Sequence, residues 1–329
     1  MKGMPTNAIF RGGSLLDWRE NEMKTIKKFS LVGAVAVAMF AFSACDDSSS
    51  AGGDETETSA LSSSAKVTEP AEVTSSSSEN VASSNSGKQS ESSSSSAGKV
   101  NCSALLEGKT GWSWDVPKEC RFNPVIDYGS MTDERDGKKY KTVTIGDEVW
   151  MAENLNYADS VKTASLKGKS WCYNNVAKNC DVTGRLYTWA AAMDSVKTGC
   201  GYGSTCSPTL PVQGICPTGW HLPDTTEWNT LFTAVGGRST AGKVLKSQSG
   251  WYRNRNGTDT FGYSALPAGY SGDIGGFYGD NSYASFWSST ESGSYRAYIM
   301  YLFCDLEDAD LYIYGKDYGF SVRCLKDSE

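Results

Sequence analysis

The distribution of hydrophobic and polar residues divides the chain into segments of different character. Residues 29–44 form an apolar run, and residues 23–28 before it are rich in lysine. Residues 46–100 contain no aromatic side chain, and 20 of these 55 positions are serine. Aromatic and aliphatic residues return from residue 101 onward, in the alternating and periodic patterns of a folded protein. We therefore expect a leader, a linker and a folded region.

The apolar run is typical of a secretory signal peptide. It is shorter than the roughly 18 to 20 apolar residues of a membrane-spanning helix, and it ends on Ser43 and Ala44 directly before Cys45. A membrane helix or a buried core helix is the alternative. The small residues and the cysteine resemble the lipobox of bacterial lipoproteins, with Phe42 where that family usually has leucine.

This resemblance implies that residues 23–44 are a lipoprotein signal peptide and that Cys45 carries acyl chains such as palmitate. Two acyl chains anchor a protein stably, because each buried methylene contributes about 0.8 kcal/mol. We therefore expect the membrane as a partner, and a location in the cell envelope, at the outer membrane or the cell surface. Residues 1–22 lack any such pattern and are interpreted as a mis-called extension.

The segment from Cys45 to residue 100 is predicted to be a disordered linker. A serine-rich tract cannot bury enough apolar area to offset the entropy of ordering it. Its root-mean-square reach of roughly 40 Å would hold the folded region away from the membrane.

The folded region is predicted to be α+β, with two short helices and short antiparallel strands. Alternation over residues 139–153, interrupted by Gly146 and Asp147, predicts a hairpin. Helices are predicted at 185–196 and 225–235, the second with a capping box of Asp224 and Glu227. Further strands are predicted at 261–266, 285–289, 296–304, 310–314 and 318–325.

The cysteines that follow Cys45 are expected to form disulfides, because the protein is exported. Local spacing predicts four pairs: Cys102 with Cys120, Cys172 with Cys180, Cys200 with Cys206, and Cys216 with Cys324. Cys304 is left as the free thiol. Zinc is disfavoured, since no spacing is C-x2-C and the chain has one histidine. Residues 101–123, bracketed by the first pair, are expected to form a small disulfide-closed appendage to a domain at 124–329.

Several ordered motifs point to one family. They include Trp-Met-Ala-Glu-Asn-Leu-Asn-Tyr at 150–157, Gly-Arg-Leu-Tyr-Thr-Trp at 184–189, Cys-Pro-Thr-Gly-Trp-His-Leu-Pro at 216–223, Phe-Trp-Ser-Ser-Thr-Glu at 286–291 and Gly-Phe-Ser-Val-Arg-Cys at 319–324. Over residues 126–326 the chain resembles the Fibrobacter succinogenes major paralogous domain, a family of exported proteins. The order of these motifs is also similar to that of C-type-lectin-like and sulfatase-modifying-factor domains. A lectin-like fold is the expectation, and a fold does not determine a function.

The usual catalytic constellations are absent from the sequence. His221 is the one histidine, and its place between Trp220 and Leu222 favours a structural role. Carboxylates for glycoside hydrolysis could come from Asp224, Glu227, Asp273, Asp280 or Glu291, but any acidic domain offers such pairs. A pocket that gathers carboxylates around His221 would favour an enzyme.

A binding site is predicted in the glycine-rich stretch from Gly250 to Tyr283. Aromatic faces beside amides and carboxylates suit sugar rings, which present apolar C–H faces and hydroxyl edges. The candidate residues are Trp251, Tyr252, Asn256, Asp259, Tyr270, Asp273, Tyr278, Asp280 and Tyr283. A loop held in place by its own aromatic residues is the alternative. No cofactor is expected, although calcium bound by Asp and Asn oxygens stays open.

The formal net charge of −7 excludes the basic surface of a nucleic-acid-binding protein. The sequence therefore predicts a lipid-anchored, non-catalytic module that binds polysaccharide or another envelope glycan. The alternatives are an envelope enzyme, either glycan-active or an oxidase related to sulfatase-modifying factors, and a structural surface protein.

Overall fold

The computed structural model describes residues 100–328, which are a mixture of short helices and antiparallel strands. The strands are β1 Gly129–Thr132, β2 Lys139–Ile145, β3 Glu148–Met151, β4 Ser170–Trp171, β5 Leu186–Tyr187, β6 Trp220–His221, β7 Ala268–Ser271, β8 Phe277–Asp280, β9 Tyr283–Glu291, β10 Arg296–Phe303, β11 Asp310–Gly315 and β12 Leu325–Lys326. The helices are α1 Cys102–Leu106, α2 Ala177–Thr183, α3 Trp189–Ala192, α4 Ser195–Thr198, α5 Thr225–Ala234 and α6 Arg238–Leu245. The predicted α+β class is confirmed. The predicted leader, lipidated cysteine and linker lie outside the described residues.

The largest sheet has five strands in the order β1, β2, β3, β12, β6. The predicted hairpin is confirmed: β2 and β3 pair in register from Thr142 with Met151 to Ile145 with Glu148. Gly146 in the turn has φ +63°, a conformation that glycine adopts without strain. Leu325 in β12 pairs with Trp150 on one side and His221 on the other. Residues far apart in the chain therefore meet at β12.

A second sheet has the order β11, β10, β9, and the hairpin β7–β8 lies next to it. Alternation along β10 sends Ile299 and Tyr301 into one buried cluster and Met300 and Leu302 into another. The second sheet thus separates two hydrophobic cores. The first contains Trp189 and Trp287, and the second contains Trp150, Trp228 and Trp251, all five fully buried.

The predicted helix at 225–235 is confirmed as α5. The Asp224 carboxylate accepts the N–H groups of Thr226 and Glu227, and Glu227 Oε2 accepts the Asp224 N–H at 2.8 Å. The helix ends before Gly236 and Gly237, which have φ values of +100° and +101°.

Three other predicted elements differ from the structure, and residues 100–328 contain six short α-helices where two were predicted. The helix at 185–196 is divided into β5, α3 and α4, because Asp194 takes a left-handed conformation with φ +50°. The strand at 261–266 is irregular backbone, since positive φ values at Asp259, Gly262 and Ser264 wrap this segment around the Asp259 carboxylate. Of the strand predicted at 318–325, Leu325 alone lies in a named strand.

Eight of the nine cysteines in the described residues form the four pairs that local spacing predicted: Cys102–Cys120, Cys172–Cys180, Cys200–Cys206 and Cys216–Cys324. The prediction of a free thiol at Cys304 is wrong, because Cys304 is disulfide-bonded and the described residues contain no free cysteine. The prediction started from the assignment of Cys45 to lipid, which leaves an odd count, and the disulfide of Cys304 competes with that assignment because the other eight cysteines pair with one another.

Residues 101–123, closed by Cys102–Cys120, pack against the rest of the domain. The Trp112 backbone N–H donates to Asn281 Oδ1 at 3.1 Å, and Trp114 Nε1 donates to Asp280 Oδ2 at 3.1 Å. Arg121 is buried, with its guanidinium 4.6 Å from the Trp112 ring centroid. No helix between residues 100 and 328 is long and apolar enough to span a bilayer.

Candidate functional site

Three of the predicted ligand-binding residues are part of the framework. Trp251 is fully buried, and its Nε1 donates to Ser247 Oγ at 3.1 Å. The Asn256 side chain accepts the Trp251 backbone N–H at 3.0 Å. Asp259 is also fully buried and accepts both the N–H and the hydroxyl of Ser264, at 2.7 and 2.6 Å. These side chains hold a loop in place, which was the alternative interpretation of this stretch.

Burial raises the pKa of the Asp259 carboxyl to about 6, against the hydrogen bonds from Ser264 that stabilise its charged form. The buried guanidinium of Arg323 offsets part of this cost by its charge and donates to the Ser264 carbonyl at 3.0 Å. Asp259 therefore belongs to a buried polar network and does not face a ligand.

Tyr252 and Asp280 are also engaged in contacts within the protein. Tyr252 begins a short 3-10 segment, and the guanidinium of Arg253 lies 4.9 Å from its ring centroid. The Asp280 carboxylate accepts hydrogen bonds from Trp114 Nε1 and, at 2.8 Å, from the Tyr173 hydroxyl. Asp280 therefore joins the disulfide-closed N-terminal segment to β8.

The remaining predicted residues, Tyr270, Asp273, Tyr278 and Tyr283, lie together with aromatic residues that the prediction missed. We call this surface the aromatic face. Its rings come from β7 to β11 and the segment after β11, and they are Tyr270, Tyr278, Tyr283, Tyr301, Phe303, Tyr312, Tyr314 and Tyr318. Strand alternation places them there, because Tyr312 and Tyr314 pack on the same cluster as Ile299 and Tyr301.

The rings of the aromatic face form a continuous series. Centroid distances are 6.0 Å between Tyr270 and Tyr283, 5.8 Å between Tyr283 and Tyr301, and 5.0 Å between Tyr301 and Tyr312. The series also runs from Tyr270 to Tyr318 at 6.2 Å and on to Tyr314 at 5.2 Å. Such spacings are those of favourable aromatic pairs.

Tyr278 is the most exposed ring of the face, at 46 %. It lies against a loop with glycines at 272 and 276, where an added Cβ would come within 3.0 and 2.4 Å of its ring and hydroxyl. The absence of side chains at these two glycines lets the Tyr278 ring rest on the loop. The position of the ring is therefore set by the backbone beneath it.

The edge of the aromatic face carries two carboxylates. Burial raises the pKa of the Tyr318 hydroxyl, and the charges of Asp273 and Asp317 raise it further. Burial also raises the pKa of the Asp317 carboxyl, to which Asp273 adds. For Tyr314, burial and the neighbouring hydroxyls of Tyr270 and Tyr318 raise the pKa. Neutral phenols and carboxylates thus supply donors and acceptors around apolar rings.

The sequence contains a signal for the missed residues. Tyr301 with Phe303, and Tyr312 with Tyr314, are separated by two positions in segments predicted as strands, so each pair shares one face of the sheet. Strand pairing decides which strands lie side by side, and the alternation within one segment does not predict that pairing.

A second site gathers carboxylates around His221. The Nδ1 atom lies 2.6 Å from Asp327 Oδ1, and Nε2 lies 2.8 Å from Glu227 Oε1. Burial alone would lower the pKa of His221, but the hydrogen bonds with Glu227 and Asp327 outweigh it and raise the pKa. A cavity of about 470 Å³ adjoins this cluster, and Asp224 also lines it. Both ring nitrogens face carboxylates, which is the arrangement of an imidazolium held in place.

Most of the carboxylates considered for glycoside hydrolysis have structural partners. Asp224 and Glu227 form the capping box of α5, and Asp280 holds Trp114 and Tyr173. Glu291 accepts Lys316 Nζ at 2.7 Å and the Cys206 N–H at 3.0 Å. Asp273 is the exposed member of this set.

Another cavity, of about 510 Å³, lies between residues 114–122, β2, the segment after β3, and α2. Its Lys118 ammonium lies 2.5 Å from Glu153, which also accepts the Lys141 N–H at 2.8 Å. The charges of Lys118 and Glu153 neutralise each other. Across residues 100–328, no cluster of three or more His, Cys, Asp or Glu side chains is arranged to hold a metal ion.

These features define a class of protein: a disulfide-stapled α+β domain with a partly exposed aromatic face. Residues 143–326, more than half of the chain, match the family model of the Fibrobacter succinogenes major domain. The chain belongs to this family, which confirms the resemblance found in its motifs. No curated protein and no solved structure matches the chain.

Proposed function

We propose that this protein is a lipid-anchored module of the cell envelope that binds glycan through its aromatic face. The observation that carries the proposal is the continuous series of tyrosine rings, with the carboxylates of Asp273 and Asp317 at its edge. Rings of this kind stack on the apolar face of a sugar, while hydroxyls and carboxylates bind its edge. A lectin-like fold belongs to the same proposal, and is supported by the motif order and the closing strand β12.

The proposal is tested with the full mature chain and soluble oligosaccharides of cellulose and xylan, by isothermal titration calorimetry. We expect Tyr278→Ala and Tyr318→Ala each to weaken binding by about tenfold, since one aromatic contact is worth up to about 1.5 kcal/mol beyond its area. The matched control is Tyr298→Ala, because Tyr298 lies in β10 with the opposite alternation to Tyr301. An unaltered protein that binds none of these glycans would overturn the proposal for both polysaccharides.

The second candidate is an enzyme working at the His221 cavity, favoured by the carboxylates gathered there. It requires a group free to accept or donate a proton, whereas His221 already contacts two carboxylates. The same oligosaccharides, incubated with the protein and separated by chromatography, distinguish the two candidates. Shortened products that disappear in His221→Gln would favour the enzyme.

A further inference from the structure

Two further tyrosines, outside the aromatic face as defined, are unusually exposed for large rings. Tyr202 is 56 % and Tyr295 is 57 % accessible, and their ring centroids lie 5.1 Å apart at an interplanar angle of 71°. Tyr202 belongs to the loop closed by Cys200–Cys206, and Tyr295 to the turn between β9 and β10. The two rings are in edge-to-face contact, and more than half of each side chain stays accessible to a ligand.

The loop that carries Tyr202 is held in place by the buried ammonium group of Lys316. Lys316 is fully buried, and its ammonium donates to the carbonyl oxygens of Gly201 at 3.2 Å and Ser204 at 2.9 Å. The same ammonium lies 2.7 Å from the Glu291 carboxylate, which also binds the Cys206 N–H. One buried group thus holds both ends of the loop.

The loop and the turn are also joined directly. The Gly203 N–H donates to the Ser294 carbonyl at 2.9 Å, and the Lys316 N–H donates to the Tyr295 carbonyl at 2.9 Å. The two rings are therefore presented at a set distance before any ligand arrives. A preorganised pair of tyrosines binds with less loss of conformational entropy than rings on mobile loops.

The tyrosine pair lies close to the aromatic face in the folded chain. Ala297 in β10 pairs with Tyr314 of the aromatic face, and Tyr295 precedes Ala297 by two residues. The Tyr295 carbonyl accepts the N–H of Lys316, which lies two residues from both Tyr314 and Tyr318, so the pair and the aromatic face are neighbours. A single linear polymer can reach both places.

We propose that Tyr202 and Tyr295 form a second sugar-contact site, occupied by the same glycan chain that lies on the aromatic face. This inference rests on the proposed glycan binding and adds a dependence on chain length. A short oligosaccharide fills one site, and a longer chain gains the second contact without a second loss of translational freedom.

The test is a length series of cello-oligosaccharides and xylo-oligosaccharides, titrated calorimetrically into the full mature chain. The unaltered protein is expected to bind longer chains more tightly, and the double variant Tyr202→Ala with Tyr295→Ala to lose about tenfold for long chains while short ones are unaffected. Tyr278→Ala is expected to weaken binding at every length. The double variant Tyr202→Phe with Tyr295→Phe retains the rings and is the conservative control.

Two results would contradict the proposals in different ways. An unaltered protein whose binding at every length equals that of the double alanine variant would overturn the second site and leave the aromatic face intact. No binding by the unaltered protein would overturn both proposals. Because both side chains are more than half exposed, the variants are expected to fold, and circular dichroism with thermal melting checks this.

Discussion

Single residues show how partners in the fold decide what a side chain does. His221 illustrates this, because its ring joins three elements: β6, which carries it, the first turn of α5 through Glu227, and the segment after β12 through Asp327. Sequence position indicated a structural role for His221, and its two carboxylate partners supply a physical reason for one. The identities of Trp251 and Asp259 were equally visible in the sequence, but their complete burial was not, because burial depends on contacts with distant parts of the fold.

The His221 contacts predict a defined pH dependence of stability. The folded-state pKa is raised above the value near 6.5 of an unfolded chain. Protonated His221 therefore stabilises the fold fully below about pH 6.5, and this contribution is lost as the pH rises through the folded-state pKa. We expect the difference in unfolding free energy between the unaltered protein and His221→Gln to be largest near pH 6 and to shrink toward pH 9.

The measurement is urea unfolding of both proteins across that pH range. Subtracting the two curves at each pH removes titration that both proteins share, including much of that of Glu148, whose pKa is raised first by burial and then by Glu227. A difference that is constant from pH 6 to pH 9 would show that the imidazolium does not stabilise the fold.

At the scale of elements, sequence patterns predicted those elements whose turn and capping residues lie within the element itself. The hairpin β2–β3 and the helix α5 carry their own turn and capping residues, and both form where the pattern places them. A helix was predicted at 185–196 because its apolar residues have helical spacing. It does not form as one helix because Tyr187 pairs with Phe320 and Trp189 packs in the core. Contacts made with distant residues override local preference there.

The loop at residues 200–206 is held in place by Lys316, which directly follows β11. Lys316→Met removes the ammonium and leaves the Glu291 carboxylate and two carbonyl oxygens without their partner. Breaking a buried ion pair on one side costs about 3 kcal/mol or more. We expect a loss of about this size in the free energy of unfolding, measured by urea denaturation.

The matched control is Lys243→Met, which removes an exposed ion pair with Glu307. An exposed pair contributes no more than about 1 kcal/mol, so this variant should lie close to the unaltered protein. Equal losses of unfolding free energy in the two variants would mean that the buried contacts of Lys316 stabilise the fold no more than an exposed ion pair does. Replacing Glu291 by leucine together with Lys316→Met should recover part of the loss.

At the scale of the whole molecule, the proposed lipid at Cys45 would hold the protein at the membrane. The expected change is simple: Cys45→Ser should move the protein from the membrane fraction to the soluble fraction, because acyl chains supply the anchor. Mass spectrometry of the N-terminal peptide checks the modification directly. A peptide in which Cys45 forms a disulfide would contradict lipidation, since one sulfur cannot carry both bonds.

The position of β12 has a consequence for when the domain can finish folding. Residues 325–326 lie between β3 and β6 in the five-stranded sheet, and Cys324 beside them is joined to Cys216, 108 positions earlier. A chain still emerging from the ribosome lacks the strand that completes the sheet until almost all of the domain has been synthesised. Contacts of such high sequence separation form late in folding. The five-stranded sheet therefore closes only after residues 325–326 are available, which suits the export that we propose.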